Sequence, residues 1–255
     1  MLFDTHIHLD RFPPEFGLEQ EIAAARKAGV STFLVPGVSR AGWSGIAEVV
    51  AETEGAWPAY GLHPMAATEW DDDCRTELAK YLQSPATVAV GEIGLDRYID
   101  IPMARQEESF RQQLQLATEY GLPVLIHCRK MPGRILEILQ EEYTGGAGGI
   151  MHAFSGSLES AKVLISLGFV LSFGGALTYP EAKQGVEVLR KLPEDAIVIE
   201  TDAPDLAPHP HRGEMNRPVW LIQVLERLAE IRGWSLDEAA ALTTANARRV
   251  LRLKG

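Results

Sequence analysis

The chain has 255 residues, of which 46% are apolar, and a formal net charge of −11 at pH 7. This length is enough for one large domain with a full core, and α/β barrels are commonly of about this size. The acidic balance argues against a protein that binds duplex DNA or an anionic membrane through a broad basic surface, so a phosphate-bearing ligand would need a local positive site.

The amino-terminal residues do not resemble a signal peptide, because the first ten include two acidic residues and no basic one. No apolar run approaches the roughly 20 residues of a membrane span. Cys74 and Cys128 lie far apart in the sequence and give no disulfide framework. We therefore expect a cytoplasmic protein with two free thiols and no membrane partner.

Short apolar runs rich in β-branched residues recur along the chain and predict eight strands. They are Leu2 to Ile7, Val30 to Val35, Trp57 to Leu62, Thr87 to Val90, Pro123 to Ile126, Gly149 to Met151, Phe169 to Phe173 and Ala196 to Ile199. Segments with helical periodicity lie between most of them. This alternation predicts an α/β fold, a closed (β/α)8 TIM barrel formed by residues 1–255 as a single domain.

Two segments near the carboxyl terminus are predicted from local signals. The sequence SLDE at Ser235 to Glu238 is a capping box, which predicts a final helix that runs to about Leu251 and packs outside the barrel. The longest irregular stretch, Ala207 to Pro218, follows the eighth strand. We therefore expect this loop at the barrel mouth.

The first predicted strand contains the sequence FDTHIHLD. Side chains at i and i+2 of a strand share a face, so Asp4, His6 and His8 are expected to point inward while Thr5 and Ile7 face the helices. Two histidines so spaced can bind one metal ion, although an H-x-H pair alone also fits two polar residues near an exposed terminus. Asp4, one step deeper, is placed to accept a proton from a ligand imidazole.

Ionisable side chains also stand at the ends of other predicted strands. Glu92 ends the fourth strand, His127 the fifth and His152 the sixth, and Asp202 follows the eighth. Barrel enzymes place their catalytic residues at this C-terminal face, and a structural core would gain nothing from burying such groups repeatedly. The pattern therefore predicts an active site at the C-terminal ends of the strands.

Four imidazoles and two carboxylates exceed the needs of one ion. They suit two divalent ions about 3.5 to 4 Å apart that share a bridging carboxylate and a bridging hydroxide. The predicted ligands are His6, His8 and Asp202 for one ion, His127 and His152 for the other, and Glu92 as the bridge. Histidine-rich sites favour Zn, Mn, Ni or Co over Mg on grounds of ligand softness.

These motifs together resemble the TatD family of metal-dependent hydrolases, within the amidohydrolase-like barrels. The resemblance covers nearly the whole chain and rests on DTHIHLD at 4 to 10, GLHP at 61 to 64, VGEIGLD at 90 to 96, RQ at 105 and 106, LPVLIHCR at 122 to 129, HAFSGS at 152 to 157, ETDAP at 200 to 204 and NRP at 216 to 218. The family's ligands fall on the same six residues that the strand ends select. Lys130 and Ala153 stand where many relatives have an acidic residue and a cysteine, and both resemble the YjjV-like branch.

The resemblance implies a metal-dependent phosphodiesterase, a deoxyribonuclease that trims single-stranded DNA from its 3′ end, and it implies magnesium as the usual ion. Asp202 is expected to orient the attacking water and collect its proton with Glu92 beside it, while Asp4 and Glu200 support the ligands from behind. His63, which ends the third predicted strand, is either a contact to the leaving group or a phosphate oxygen, or a structural histidine beside Pro64.

Basic residues near the predicted mouth are candidates for phosphate binding. They are Arg129, Lys130 and Arg134 after the fifth strand, and Arg212 and Arg217 in the loop after the eighth. A solvated surface is the default for such charges, but capture of a phosphate would supply the local positive field that the net charge lacks. We expect Arg129 first, and then Arg217, to contact the substrate.

Two other functions stay open at this point. An amidohydrolase or esterase acting on a small amide, lactone or aminoacyl ester would have nearly the same metal site, and a closed apolar pocket would favour it over a nuclease. A catalytically silent metal-binding or interaction protein is the other. We expect a monomer whose partner is a single-stranded DNA end or a small phosphodiester.

Overall fold

The computed structural model describes residues 1–253 and contains one sheet of eight strands in chain order. Strands β1 to β8 span Leu2–Asp4, Val30–Pro36, Ala56–Tyr60, Ala89–Asp96, Val124–Arg129, Gly149–Met151, Phe169–Phe173 and Ile197–Ile199. Every consecutive pair is parallel. The N–H of Thr5, just after β1, donates to the carbonyl of Ile199 in β8 at 3.1 Å and so links the first strand to the last in a nearly closed barrel. The predicted (β/α)8 barrel is confirmed.

Helices cover the outside of this barrel. Helices α1 to α9 span Leu18–Lys27, Trp43–Glu52, Asp72–Leu82, Met103–Tyr120, Pro132–Glu142, Leu158–Ser166, Lys183–Lys191, Leu221–Arg232 and Leu236–Val250. Each of α1 to α8 follows the strand of the same number, and the apolar strands are buried between helices and barrel interior. No helix of the described part is long and apolar enough to cross a membrane.

Helix α9 begins at the predicted cap and packs against one end of the barrel. The Ser235 hydroxyl accepts a hydrogen bond from the N–H of Glu238 at 3.2 Å, so the predicted cap is present. Ala247 and Val250 pack with the residues that fill the barrel interior, among them Phe3 and Leu125. The last helix therefore closes the N-terminal end of the barrel and leaves the opposite end as the open mouth.

The first strand is shorter than predicted, and the expected alternation over residues 4–8 is wrong in part. Phe3 packs among the residues of the barrel interior, and Thr5, also buried, lies 3.1 Å from Ser172 through the two hydroxyl oxygens. The inward positions are therefore Phe3 and Thr5. The chain leaves the strand after Asp4, and His6 and His8 reach the mouth from the irregular segment that follows.

Asp4 supports this turn rather than an imidazole. Its carboxylate accepts hydrogen bonds from the N–H of Thr201 at 2.9 Å and from the Thr201 hydroxyl at 2.6 Å. Among the residues described, its remaining donor is the backbone N–H of His6, at 3.3 Å. Burial raises the pKa of Asp4 to about 8, against the opposing effect of these hydrogen bonds. Asp4 thus joins the ends of β1 and β8 and holds the backbone, not the ring, of His6.

Candidate metal centre

The side chains of one predicted metal group meet closely at the mouth. The Nε2 atom of His6 lies 3.3 Å from Nε2 of His8, 3.4 Å from Oε2 of Glu92 and 3.6 Å from Oδ1 of Asp202. All four residues are buried. A tetrahedral ion with bonds of about 2.0–2.2 Å holds its ligand atoms roughly 3.3–3.6 Å apart. Because Nε2 of His8 is also 3.7 Å from Oδ1 of Asp202, the ligand atoms of His6, His8 and Asp202 have about the spacing that one small cation requires, and Glu92 lies beside His6.

A second group surrounds the other oxygen of Glu92. Its Oε1 atom lies 2.8 Å from Nδ1 of His127 and 3.9 Å from the Nε2 atoms of His152 and His63. His152 Nε2 is also 3.8 Å from Oδ2 of Asp202. Glu92 thus separates the two groups and faces both, which is where a bridging ligand has to lie.

The chemistry of this donor set fits cations. Two buried imidazole nitrogens face each other at 3.3 Å between carboxylates, and such nitrogen and oxygen donors are the usual ligands of divalent transition metals. Burial, and then the neighbouring charge of His6, lower the pKa of His8, so that it stays neutral as a metal ligand must. Burial would raise the pKa of Glu92, but His6, His63 and His152 outweigh that effect and hold it well below the usual value.

Backbone geometry places Asp202 and the fourth strand. Asp202 has φ 61°, a left-handed conformation that costs free energy for a residue other than glycine, and its N–H donates to the carbonyl of His6 at 2.9 Å. Gly94 has φ 149°, and a Cβ at this position would lie 1.9 Å from the carbonyl oxygen of His127. Only glycine therefore lets β4 approach β5 closely enough to set Glu92 beside His127.

Glu200 lies behind one of the imidazoles. Its Oε1 atom is 2.9 Å from Nδ1 of His152 and accepts the N–H of Ala153 at 2.8 Å. Burial opposes the charged form of His152, yet Glu200, Asp202 and Glu92 raise its pKa to about 10, so a cation bound at Nε2 would take the place of a proton. The contact between Glu200 and Nδ1 orients the His152 ring so that its Nε2 points to the mouth.

Asp96 belongs to the site and was missed from the sequence. Its Oδ2 atom lies 3.2 Å from Nε2 of His127, and its Oδ1 atom accepts the N–H of Tyr98 at 2.8 Å. His127 is therefore held between two carboxylates, because its Nδ1 faces Glu92. The signal was present in VGEIGLD, but the fourth strand was predicted to end no later than Glu92, whereas it continues to Asp96.

The predicted phosphate-binding residues have different surroundings. Arg129 has a side chain that is 62% exposed, and its NH1 atom lies 4.0 Å from Oδ2 of Asp96. Arg217 instead binds the carboxylate of Glu21 through Nε and NH2, at 2.8 to 3.1 Å. Because its Nε and NH2 groups are engaged on α1, we do not place Arg217 in the proposed substrate site, whereas Arg129 stays a candidate.

Two cavities adjoin the cluster on the side of β5 to β8. One, of about 590 Å³, is bounded by His152, and the other, of about 400 Å³, is bounded by Asp202. Lys130, Ala153 and Phe154 line both of them. Lys130 and Ala153, which the sequence comparison with the family singled out, therefore lie beside the cluster.

Comparisons with known proteins agree over the whole chain. The model of the TatD related DNase family matches residues 3–252. The uncharacterized metal-dependent hydrolase YabD of Bacillus subtilis is 38% identical over 254 residues, which cover 99% of this chain and 100% of YabD. The 3′-5′ ssDNA/RNA exonuclease TatD of Cronobacter sakazakii is 34% identical over 259 residues, which cover 98% and 97%. The crystal structure of YjjV from Escherichia coli is similar with a TM-score of 0.93 at 33% identity, covering 99% of this chain and 98% of that one.

Proposed function

Because the chain belongs to the TatD family of metal-dependent hydrolases, we propose that it hydrolyses phosphodiester bonds and removes nucleotides from the 3′ end of single-stranded DNA. The observation that carries this proposal is the convergence of imidazoles and carboxylates around Glu92 at the mouth, with the exposed cation of Arg129 beside them. The exonuclease name of the Cronobacter relative supports the choice of substrate.

The mouth residues fit two divalent ions. His6, His8 and Asp202 would hold one ion, and His127 and His152 the other, with Glu92 between them. When bound, such ions lower the pKa of water towards neutrality and neutralise charge that builds on a phosphate. Imidazole ligands suit zinc, manganese, nickel or cobalt, while carboxylates also accept magnesium.

Asp202 is the residue we assign to proton transfer. Burial, opposed by His152 and His6, raises its pKa to about 6. A carboxylate beside a metal-bound water molecule can orient that water and accept its proton. Asp202 also bounds the smaller cavity, so a substrate placed there would lie next to this base.

His63 is the residue we assign to the leaving group. Its Nδ1 atom accepts the N–H of Met65 at 3.1 Å, so the neutral ring carries its proton on Nε2. That Nε2 lies 3.9 Å from Oε1 of Glu92, at the edge of the cluster. Burial lowers the pKa of His63 to about 4, which keeps the ring neutral and makes Nε2–H a hydrogen-bond donor to a phosphate or leaving-group oxygen.

The test compares substrates in one metal-reconstituted preparation. We expect cleavage of single-stranded DNA and of bis-p-nitrophenyl phosphate to exceed that of p-nitrophenyl acetate, with RNA assayed in parallel. Glu92→Ala should abolish phosphodiester cleavage, whereas Glu226→Ala, which removes an exposed carboxylate from α8, should retain it. Turnover of the acetate alone, lost in Glu92→Ala, would reject the nuclease and favour an esterase.

A further inference from the structure

Exposed apolar side chains are concentrated around the mouth. Among residues 1–253, the large apolar side chains that remain exposed are Phe16, Met65, Tyr98, Leu206, Met1 and Leu236. The first four follow β1, β3, β4 and β8, so they lie in the loops at the C-terminal ends of the strands. Scattered exposed apolar residues need no explanation, so the significance of each of the four depends on what it contacts.

Tyr98 is the most exposed of these four and lies against the exposed guanidinium group of Arg129. It is 62% exposed, and the guanidinium carbon of Arg129 lies 5.0 Å from the centre of its ring. Arg129 lies over the ring, and the high exposure of Tyr98 leaves ring surface that a planar partner can contact. An aromatic ring and a guanidinium group, both exposed and in contact, form a surface that is apolar and positively charged at once.

One carboxylate ties this pair to the metal cluster. Asp96 accepts the N–H of Tyr98 at 2.8 Å, and its Oδ2 atom lies 4.0 Å from NH1 of Arg129 and 3.2 Å from Nε2 of His127. Since the last two distances share one oxygen, the guanidinium nitrogen is within about 7 Å of His127. Tyr98 and Arg129 therefore lie close to His127, one of the predicted metal ligands.

The geometry points to a binding platform for an unpaired nucleotide. We propose that the base of a nucleotide next to the cleaved bond stacks on Tyr98 while its phosphate binds Arg129. Successive aromatic and cationic contacts of this kind bind single strands, whose bases are free to stack, whereas the bases of a duplex are not. The pair is too small to form a protein–protein interface by itself. This inference rests on the proposed function and adds the residue that distinguishes an oligonucleotide from a small phosphodiester.

The experiment is a cycle that removes the ring, the base, or both. Wild type and Tyr98→Ala are assayed on single-stranded DNA with all bases present and on the same strands with an abasic last or penultimate 3′ nucleotide. Tyr98→Phe keeps the ring, and Leu236→Ala removes an exposed apolar side chain far from the mouth. Rates on bis-p-nitrophenyl phosphate serve as the reference, and unfolding temperatures show whether each variant is folded.

We expect Tyr98→Ala to raise KM for intact DNA by about 5- to 150-fold relative to the reference substrate, the range that loss of one stacked base implies. At least one abasic position should raise the wild-type KM similarly and have no further effect in Tyr98→Ala. Tyr98→Phe and Leu236→Ala should behave as wild type. An unchanged KM in Tyr98→Ala, or ring and base effects that simply multiply, would overturn the platform.

Failure of the proposed function gives a different result. In that case wild type cleaves neither DNA nor bis-p-nitrophenyl phosphate, and the platform is tested by binding alone. Fluorescence anisotropy of labelled single-stranded DNA with Glu92→Ala should then show weaker binding when Tyr98→Ala is added. Equal affinity of the two proteins would reject the platform as well.

Discussion

Replacing Arg217 by alanine separates a structural ion pair from a substrate contact. The guanidinium group binds both oxygens of the Glu21 carboxylate, at 2.8 to 3.1 Å, and so connects the segment before α8 to α1. Glu21 is only 4% exposed, whereas the side chain of Arg217 is 42% exposed. Removal of Arg217 and removal of Glu21 should therefore lower the stability of the protein by different amounts.

The size of the effect follows from this asymmetry. Removing one partner of a fully buried pair costs about 3–5 kcal/mol, because the other charge is left in a low-dielectric environment. Water reaches Arg217, so we expect Arg217→Ala to lower the free energy of unfolding by a smaller amount, about 1.5–3 kcal/mol. Glu21→Ala leaves an arginine that solvent can hydrate, and it should cost less than about 1 kcal/mol.

Urea unfolding followed by circular dichroism measures both variants, and the DNA assay measures KM in parallel. The structure predicts that Arg217→Ala is the less stable variant and that its KM for single-stranded DNA stays within twofold of wild type. If Arg217→Ala instead unfolds like wild type and has a KM raised tenfold or more, the guanidinium binds substrate, as its position in the sequence first suggested.

Three further changes test the framework of the site. Gly94→Ala should lower the free energy of unfolding by more than about 1 kcal/mol, because the new Cβ would clash with the carbonyl oxygen of His127. A urea midpoint equal to that of the wild type would contradict this. Asp96→Asn should weaken metal affinity or activity by about 10- to 100-fold by loosening His127, as titration with the metal would show. Leu125→Ala, in the barrel interior, should cost about 2–5 kcal/mol in urea unfolding while the metal content stays unchanged.

Much of the fold could be predicted because its signals are local. Short β-branched runs marked each strand, and the cap at Ser235 marked the last helix. Glu92, His127 and Asp202 could be selected because parallel strands deliver their C-terminal ends to one mouth, whatever the details of packing.

The features that could not be predicted from the sequence depend on contacts between distant segments. Asp4 was expected to face an imidazole, but the end of β1 is decided by hydrogen bonds to Thr201, nearly two hundred residues away. Asp96 was missed because β4 continues through glycines that do not read as strand residues. The ion pair of Arg217 with Glu21 on α1 could not be predicted either, because no local pattern indicates that contact.

The most direct measurement is anomalous scattering from a crystal of the protein loaded with manganese or zinc. We predict two peaks at the mouth, about 3.5 to 4 Å apart, on either side of Glu92 and within bonding distance of the imidazole nitrogens. A mouth without peaks, or ions bound away from Glu92, would show that these side chains do not form a two-metal centre.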